Sequence, residues 1–160
     1  MATKKPFAEG TSVSVDASVQ ELKKMLEKYG IEEYLTHQKK NQTIVAFKLH
    51  GRGFRFTVPM PDPEAKRFVY VPGSTYRKRT AAQQEEAYKK EVARRWRVLV
   101  MEIKARLVAI DEGWAAFEEQ FLDETLLPDG RTVKEWVNSE FTQVQLEGKL
   151  PNVPLLPPGT

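Results

Sequence analysis

Cations next to an aromatic residue are the first candidates for a functional site in this sequence. In the stretch "TYRKRT", Tyr76 comes directly before three consecutive cations, Arg77, Lys78 and Arg79. A guanidinium group donates paired hydrogen bonds to phosphate and stacks on flat rings. An exposed aromatic ring offers a stacking surface to an unpaired base. This combination is typical of a site that binds single-stranded nucleic acid.

A second group of cations lies in "AFKLHGRGFRF", residues 46–56, which has the pattern of a β-hairpin. A two-residue turn at Gly51-Arg52 would place Lys48 directly opposite Arg55. The predicted apolar face carries Val45, Phe47, Leu49, Phe54, Phe56 and Val58, and the other face carries Lys48, His50, Arg55 and Thr57. Because like charges on opposite residues destabilise a sheet, this pairing predicts a neutralising anion. Either a carboxylate of the fold or a bound polyanion would serve.

The longest helical pattern runs from about Ala81 to Glu112. Apolar residues at steps of three and four predict the side that packs on the core: Val92, Trp96, Leu99, Ile103, Leu107 and Ile110. A second stripe lies on the opposite side of the same helix: Lys90, Arg94, Arg97, Met101 and Lys104. Only two acids occur between Lys89 and Arg106. The second stripe is therefore expected to be basic surface.

Shorter patterns predict the remaining elements. "TSVSVD", residues 11–16, alternates like a strand, and Asp16 or Ser18 is expected to cap the helix that follows it. "EEYLTHQKK" and "QTIVAFKLH" indicate two strands joined at Lys40-Asn41, "GFRFTVPM" a third, and "RFVYV" an edge strand. "WAAFEEQFL" indicates a short helix. A last helix is predicted to begin with a capping box of Thr132 and Glu135 and to end at Gly148.

These elements predict an α+β fold. A small antiparallel β-meander of three to five strands would pack against the long amphipathic helix, and two shorter helices and a proline-rich tail would follow. The predicted organisation is a flexible N-terminus over residues 1–10, one α+β domain over residues 11–148 and a proline-rich C-terminal tail over residues 149–160.

Charge is distributed unevenly along the sequence. Residues 36–106 hold 17 Lys and Arg against 6 Asp and Glu, a net charge of +11, whereas residues 107–160 hold 3 against 10, a net charge of −7. A segment this basic favours a polyanionic partner. The alternative is that the acidic and basic parts fold against each other and cancel.

Composition and motifs argue against several other classes of protein. The chain has no cysteine, which excludes disulfides and zinc-thiolate sites. It has no signal peptide and no apolar run long enough to cross a membrane, so a cytoplasmic protein is expected. His37 and His50 lack the spacing of metal ligands. Pro61-Asp62, Glu64 and Lys66 resemble a nuclease motif only superficially, because one residue separates the two carboxylates. We therefore expect no enzymatic activity, no cofactor and no metal.

Four segments carry a resemblance to a known family: "YRKRT", "RRWRVLVMEIKARLVAIDEG", "FEEQFL" and "LPDGRTVKEW", in this order. Over roughly residues 10–158 the chain resembles a family of small, poorly characterised proteins encoded by bacteriophages and prophages. The resemblance implies a viral origin, a place in the cytoplasm of a bacterial host and an accessory role in DNA replication or recombination. It implies no catalytic residue.

The sequence thus predicts a non-enzymatic protein that binds single-stranded DNA or RNA, with DNA favoured. The residues expected to bind nucleic acid are Lys48, Arg52, Arg55, Tyr76, Arg77, Lys78, Arg79, Lys90, Arg94 and Arg97. Tyr76 is the expected stacking residue. A replication or recombination protein is a further expected partner, through the C-terminal region, whereas a membrane is not, and a homo-oligomer stays open.

Two alternatives belong to other classes of protein. One is a protein-interaction module, for example a phage inhibitor of a host protein, that uses the acidic C-terminal helices and the proline-rich tail. The other is a metal-dependent nuclease that uses the scattered carboxylates.

Overall fold

The computed structural model describes residues 7–8 and 10–146. The elements in chain order are α1 (Val15–Glu27), β1 (Glu33–Lys39), β2 (Gln42–Leu49), β3 (Arg52–Pro59), α2 (Lys66–Val69), α3 (Ala81–Asp111), α4 (Phe117–Gln120), a 3₁₀ turn (Leu122–Glu124) and α5 (Val133–Leu146). The predicted α+β class is confirmed. The proline-rich tail, the helix end at Gly148 and most of the predicted N-terminal segment lie outside the described residues.

The sheet is the predicted antiparallel meander, in the order β1-β2-β3. Lys39 pairs with Gln42, so the first turn is at Lys40-Asn41 as expected. Side chains alternate along β2, and every second one is buried. The buried face of the sheet consists of Thr43, Val45, Phe47, Leu49, Phe54 and Phe56. The predicted apolar face is confirmed, and Val58 is packed at its margin.

The second turn differs from the prediction by one residue. Leu49 pairs with Arg52, so His50 and Gly51 form the turn. Both have positive φ angles, 48° and 73°, as a type I′ turn requires. Lys48 consequently faces Gly53, and the predicted pair of Lys48 and Arg55 is wrong. The twist of the strands favours the type I′ geometry, with Gly51 at its second central position.

The predicted faces survive this error for a geometric reason. Arg55 lies opposite Ala46, two residues from the expected partner. A shift of two residues leaves every side chain on its original face, whereas a shift of one would have reversed them all. Hydrophobic alternation therefore predicts which face of the sheet a side chain occupies more securely than it predicts which residue lies opposite on the next strand.

Helix α3 covers the apolar face of the sheet. Its buried residues are Val92, Ala93, Trp96, Leu99, Val100, Ile103 and Leu107, which confirms the predicted stripe. The Thr80 hydroxyl accepts a hydrogen bond from the Gln83 amide at 3.3 Å, and the Gln83 side chain accepts one from the Thr80 amide at 3.0 Å. This capping box fixes where the helix begins. Helix α1 packs beside α3 through Leu22 and Leu26.

Two predicted strands and one predicted cap are wrong. The segment 11–16 is not a strand, because α1 already begins at Val15. Ser14 is the cap and accepts a hydrogen bond from the Ala17 amide at 3.1 Å, so neither Asp16 nor Ser18 has that role. "RFVYV" is not an edge strand either: residues 66–69 form α2, which buries Phe68 against Tyr88 with ring centroids 5.7 Å apart. Burial of one aromatic ring outweighs the local preference for an extended chain.

The C-terminal helix begins as predicted. The Thr132 hydroxyl accepts from the Glu135 amide at 3.2 Å, and the Glu135 carboxylate accepts from the Thr132 amide at 2.8 Å. The short helix in "WAAFEEQFL" is the single turn of α4, followed by the 3₁₀ turn. Among the described residues, no helix has both the length and the apolar character needed to cross a membrane.

Candidate nucleic-acid interface

The segment 70–79 forms a loop that is closed at its base. Tyr70 and Lys78 face each other in an isolated antiparallel bridge. Two hydrogen bonds flank the bridge: the Val71 amide donates to the Arg77 carbonyl at 2.9 Å, and the Arg79 amide donates to the Val69 carbonyl at 2.8 Å. This pinned base holds the loop in place without the side chains at its tip.

The predicted stacking residue and two of the predicted cations are fully available on this loop. The Tyr76 side chain is 88% exposed. Arg77 and Lys78 are exposed, and within the part of the chain that the structure describes neither forms an ion pair. The backbone here is ordered by Ser74, whose hydroxyl accepts from the Arg77 amide at 2.9 Å. The loop therefore presents a ring and two unneutralised charges from a fixed base.

Arg79 has a different place from its two neighbours. Its guanidinium donates to the carbonyls of Arg67 at 2.8 Å and Phe68 at 3.2 Å. These carbonyls belong to the end of α2, where backbone acceptors lack partners within the helix. Arg79 thus anchors the loop on α2.

The predicted cations of α3 are engaged with carboxylates. Lys90 Nζ lies 2.7 Å from Glu86, and the Arg94 guanidinium lies 2.8 Å from Glu91. Arg97 pairs with Glu21 on α1. The predicted basic stripe is therefore largely neutralised by the fold itself.

Two of the three predicted cations of the hairpin are also paired with carboxylates. Lys48 Nζ lies 3.5 Å from the Glu33 carboxylate on β1. Arg55 donates to Glu135 at 2.6 Å and to the Gly130 carbonyl at 2.9 Å. The anion that neutralises Arg55 is thus a carboxylate of α5. Arg52 is exposed and, among the described residues, forms no ion pair.

The hairpin turn and the loop lie at opposite ends of β3. Arg52 begins β3, and Pro59 ends it. The Pro59 carbonyl accepts a hydrogen bond from Arg95 of α3. Arg95 shares the Glu91 carboxylate with Arg67 of α2, the helix that directly precedes the loop. The structure therefore does not join Arg52 and the cations of the loop into one surface.

The cluster of ion pairs around Glu91 was not predicted from the sequence. This carboxylate lies 2.8 Å from Arg94, 3.1 Å from Arg95 and 3.5 Å from Arg67. The hydrogen bond from Arg94, the largest cause, together with Arg95 and Arg67, lowers the Glu91 pKa to about 2 against the opposing effect of burial. Spacing of three and four on α3 pointed to Arg94 and Arg95, but nothing local pointed to Arg67 on α2.

Many of the 17 cations in residues 36–106 are paired with acids. Those in ion pairs are Lys48, Arg55, Arg67, Lys89, Lys90, Arg94, Arg95, Arg97 and Arg106. The acids that come from outside this segment are Glu21, Glu33, Glu124 and Glu135. Within the part of the chain that the structure describes, only Arg55 and Arg106 of these cations pair with the acidic C-terminal part, so the mutual neutralisation that the sequence left open is limited to these two. The other pairs use acids of the segment itself or of residues 1–35, and among the described residues no ion pair includes Arg77 or Lys78.

The other aromatic and acidic residues that were candidates for a functional site have structural roles. Phe54, Phe56 and Trp96 are buried in the core, as strand and helix periodicity predicted. The Asp62 carboxylate accepts from the Glu64 amide at 3.0 Å, which closes a local turn. Over residues 7–8 and 10–146, no three His, Cys, Asp or Glu side chains are grouped closely enough to hold a metal ion.

Comparison of the chain with protein-family models, with curated proteins and with solved structures found no match. Function is therefore inferred from the residues and contacts described above.

Proposed function

We propose that this protein binds single-stranded nucleic acid, with DNA as the favoured polymer, and does so without catalysis. The observation that carries the proposal is the 70–79 loop, where Tyr76 is 88% exposed and the two cations that follow it form no ion pair among the described residues. Burying an aromatic ring is favourable, so a ring held this far into water is a ready stacking platform.

The geometry favours a single strand over a duplex. Stacking on Tyr76 requires a base whose face is free, and in a duplex those faces are occupied by neighbouring bases. Arg77 and Lys78 would bind phosphates of the same strand, because both are exposed and follow Tyr76 directly in the chain. Cations already held by carboxylates, such as Arg55 and Arg97, would have to break those pairs first. Among the predicted contacts, the loop therefore carries the proposal.

Fluorescence anisotropy of a labelled 30-nucleotide strand and of the matching duplex, at about 50 and 200 mM salt, tests the proposal. We expect the strand to bind more tightly than the duplex. Replacing Tyr76→Ala should weaken strand binding by roughly 5- to 150-fold, which corresponds to the 1–3 kcal/mol of one stacked base. The double variant Arg77→Ala with Lys78→Ala should also lower the salt slope by about 1.4, since each phosphate contact on a single strand contributes about 0.7.

The matched control is Lys23→Ala with Lys24→Ala on α1, which removes the same charge from two adjacent exposed positions. It should leave the salt slope almost unchanged. Absence of strand binding at 50 mM salt would refute the proposal, and so would equal effects of the two double variants.

Phage origin and an accessory role in DNA replication or recombination, inside a bacterial cell, are the biological setting that we propose for this activity. Their support is the resemblance carried by the four sequence segments that begin with "YRKRT". A small binding protein without catalysis suits such a role.

A second candidate function is a protein-interaction module, and one observation favours it. Helix α5 leaves Trp136 44% exposed and Phe141 55% exposed, although large apolar side chains are normally covered. Trp136→Ala with Phe141→Ala should leave strand binding unchanged if the loop is the working surface. If the wild-type chain self-associates in sedimentation and this variant does not, α5 would be assigned to contact between copies of the chain.

A further inference from the structure

A cavity of about 420 Å³, which we call the loop cavity, lies between α2 and the 70–79 loop. Its lining residues are Lys66 and Arg67 of α2 and the chain from Tyr70 to Thr75. Its volume lies within the range of ordinary small-molecule sites, roughly 300–1,000 Å³. It is large enough for one nucleotide-sized ligand.

The charge of the loop cavity distinguishes it from the other cavity of similar size. No Asp or Glu is among its lining residues, whereas Lys66 and Arg67 are. The cavity of about 400 Å³ between β3, α3 and α5 is lined by acids as well as cations, among them Glu102, Glu124 and Glu135. Only the first of these two cavities has the charge that an anionic ligand would complement.

The bridge at the base of the loop places the backbone of a third cation, Lys78, opposite Tyr70. Tyr70 and Lys78 are directly opposite each other, and the hydrogen bonds flank this pair rather than join it. In an antiparallel pair of this kind the two side chains leave the backbone on the same face and lie close together. Lys78 is thus directly across the bridge from Tyr70, and Lys66 precedes Tyr70 by four residues on the chain.

Neighbouring groups hold the Arg67 side chain, whereas the Lys66 side chain has no ion-pair partner among the described residues. The Arg67 guanidinium lies 3.5 Å from Glu91 and 4.6 Å from the centre of the Phe68 ring, which fixes its position. Lys66 is exposed and, within the described residues, forms no ion pair. The cavity therefore combines one cation fixed in place with one that is free to move to a ligand.

We propose that the loop cavity binds one phosphorylated nucleoside unit, with its phosphate on Lys66 and Arg67 and its base against the Tyr70 ring. This inference rests on the proposed function and deepens it. The unit in the cavity would belong to the same strand whose next exposed base stacks on Tyr76. The cavity then sets where the strand is held, and the loop tip adds affinity around it.

Isothermal titration of the full chain with thymidine 5′-monophosphate, thymidine and inorganic phosphate tests this inference. The monophosphate should bind roughly 10-fold or more tightly than either half of it, because only the intact unit uses both the cations and the ring. Lys66→Ala should weaken its binding by roughly 10-fold, as expected for the loss of one charge-assisted contact. Tyr70→Ala should weaken it by roughly 5-fold or more, and Tyr70→Phe should not.

Lys134→Ala is the matched control, because Lys134 lines the other cavity. Inorganic phosphate that binds as tightly as the monophosphate would overturn the inference, and so would monophosphate binding unchanged in Lys66→Ala.

The two proposals fail in different ways. If the wild-type chain binds the 30-nucleotide strand and Lys66→Ala and Tyr70→Ala bind it equally well, the loop cavity is not part of the interface and the proposed function stands. If the wild-type chain binds neither the strand nor the monophosphate, both proposals are overturned.

Discussion

At the scale of single residues, Glu91 shows how one carboxylate can organise several cations. It accepts hydrogen bonds from Arg94 and Arg95 of its own helix and is 3.5 Å from Arg67 of α2. The arginines favour the ionised form, so the Glu91 pKa falls from its ordinary value to about 2. Because the cluster includes Arg67, it also fixes the wall of the loop cavity.

This geometry predicts how stability depends on pH. A carboxyl group with a folded-state pKa below its unfolded value stabilises the fold at neutral pH and loses that contribution as pH falls towards 2. Glu91→Gln should lower the free energy of unfolding at pH 7 by about 2 kcal/mol, since it removes charge-assisted hydrogen bonds from half-buried arginines. Urea unfolding measured from pH 7 to pH 2 should show the two proteins converging below about pH 4.

Glu85→Gln is the control for this prediction. Glu85 forms an exposed pair with Lys89 on the same helix, at 2.6 Å, and exposed pairs contribute little to stability. A pH-independent difference between Glu91→Gln and the wild type would show that the carboxylate acts through packing and not through its charge.

At the scale of elements, the second hairpin shows what local sequence leaves open. Gly51 can occupy either central position of a two-residue turn, so the sequence allows two neighbouring turns. In the structure the first central residue is His50, with a φ of 48°. A left-handed conformation is costly for a side chain other than Gly, Asn or Asp.

Substitutions at this turn should therefore have opposite effects. His50→Asn should raise the free energy of unfolding by about 0.5 kcal/mol, because Asn-Gly is the preferred type I′ pair. Gly51→Ala should lower it by about 1 kcal/mol: its φ is 73°, and a Cβ there would meet no atom within 4 Å, so the cost is conformational rather than steric. Urea unfolding at pH 7 measures both.

His37→Asn on β1 is the control, because it makes the same exchange of side chains within a strand. It should not stabilise the protein, since Asn is disfavoured in strands. A stabilising His37→Asn, or a neutral Gly51→Ala, would contradict the assignment of the turn.

At the scale of the whole molecule, Arg106 joins the basic segment to the acidic C-terminal part. From α3 its guanidinium donates to Glu124 of the 3₁₀ turn at 2.6 Å, to Glu102 at 2.6 Å and to the Gln120 carbonyl at 3.0 Å. It also lies 5.6 Å from the centre of the Phe56 ring in the sheet. One side chain therefore ties the helix, the sheet and the 3₁₀ turn together.

Removing the Arg106 guanidinium should destabilise the whole molecule. Arg106→Met would leave the Glu124 carboxylate buried without its partner, a change that typically costs about 3–5 kcal/mol. Adding Glu124→Gln should recover part of the loss, so a double-mutant cycle in urea should show strong coupling. Arg131→Met, which breaks an exposed pair with Asp129, should have little effect. Additive effects of Arg106→Met and Glu124→Gln would contradict the role of this pair.

Several parts of the fold follow from short-range patterns and could be predicted from the residues alone. Alternation gave the buried face of β2 and β3, and a repeat of three and four gave the core side of α3. The capping box of Thr132 and Glu135 located the start of α5. The exposed loop with Tyr76, Arg77 and Lys78 could also be predicted, because it lies between elements and needs no partner.

Which charges remain unpaired depends on contacts between residues that are far apart in the sequence. Arg97 and Arg55 resemble Arg77 in the sequence, yet Glu21 and Glu135 reach them from helices far away along the chain. Arg67 likewise reaches Glu91 only because α2 packs on α3. The physical reason is that an ion pair depends on distance in space, whereas periodicity records only distance along the chain.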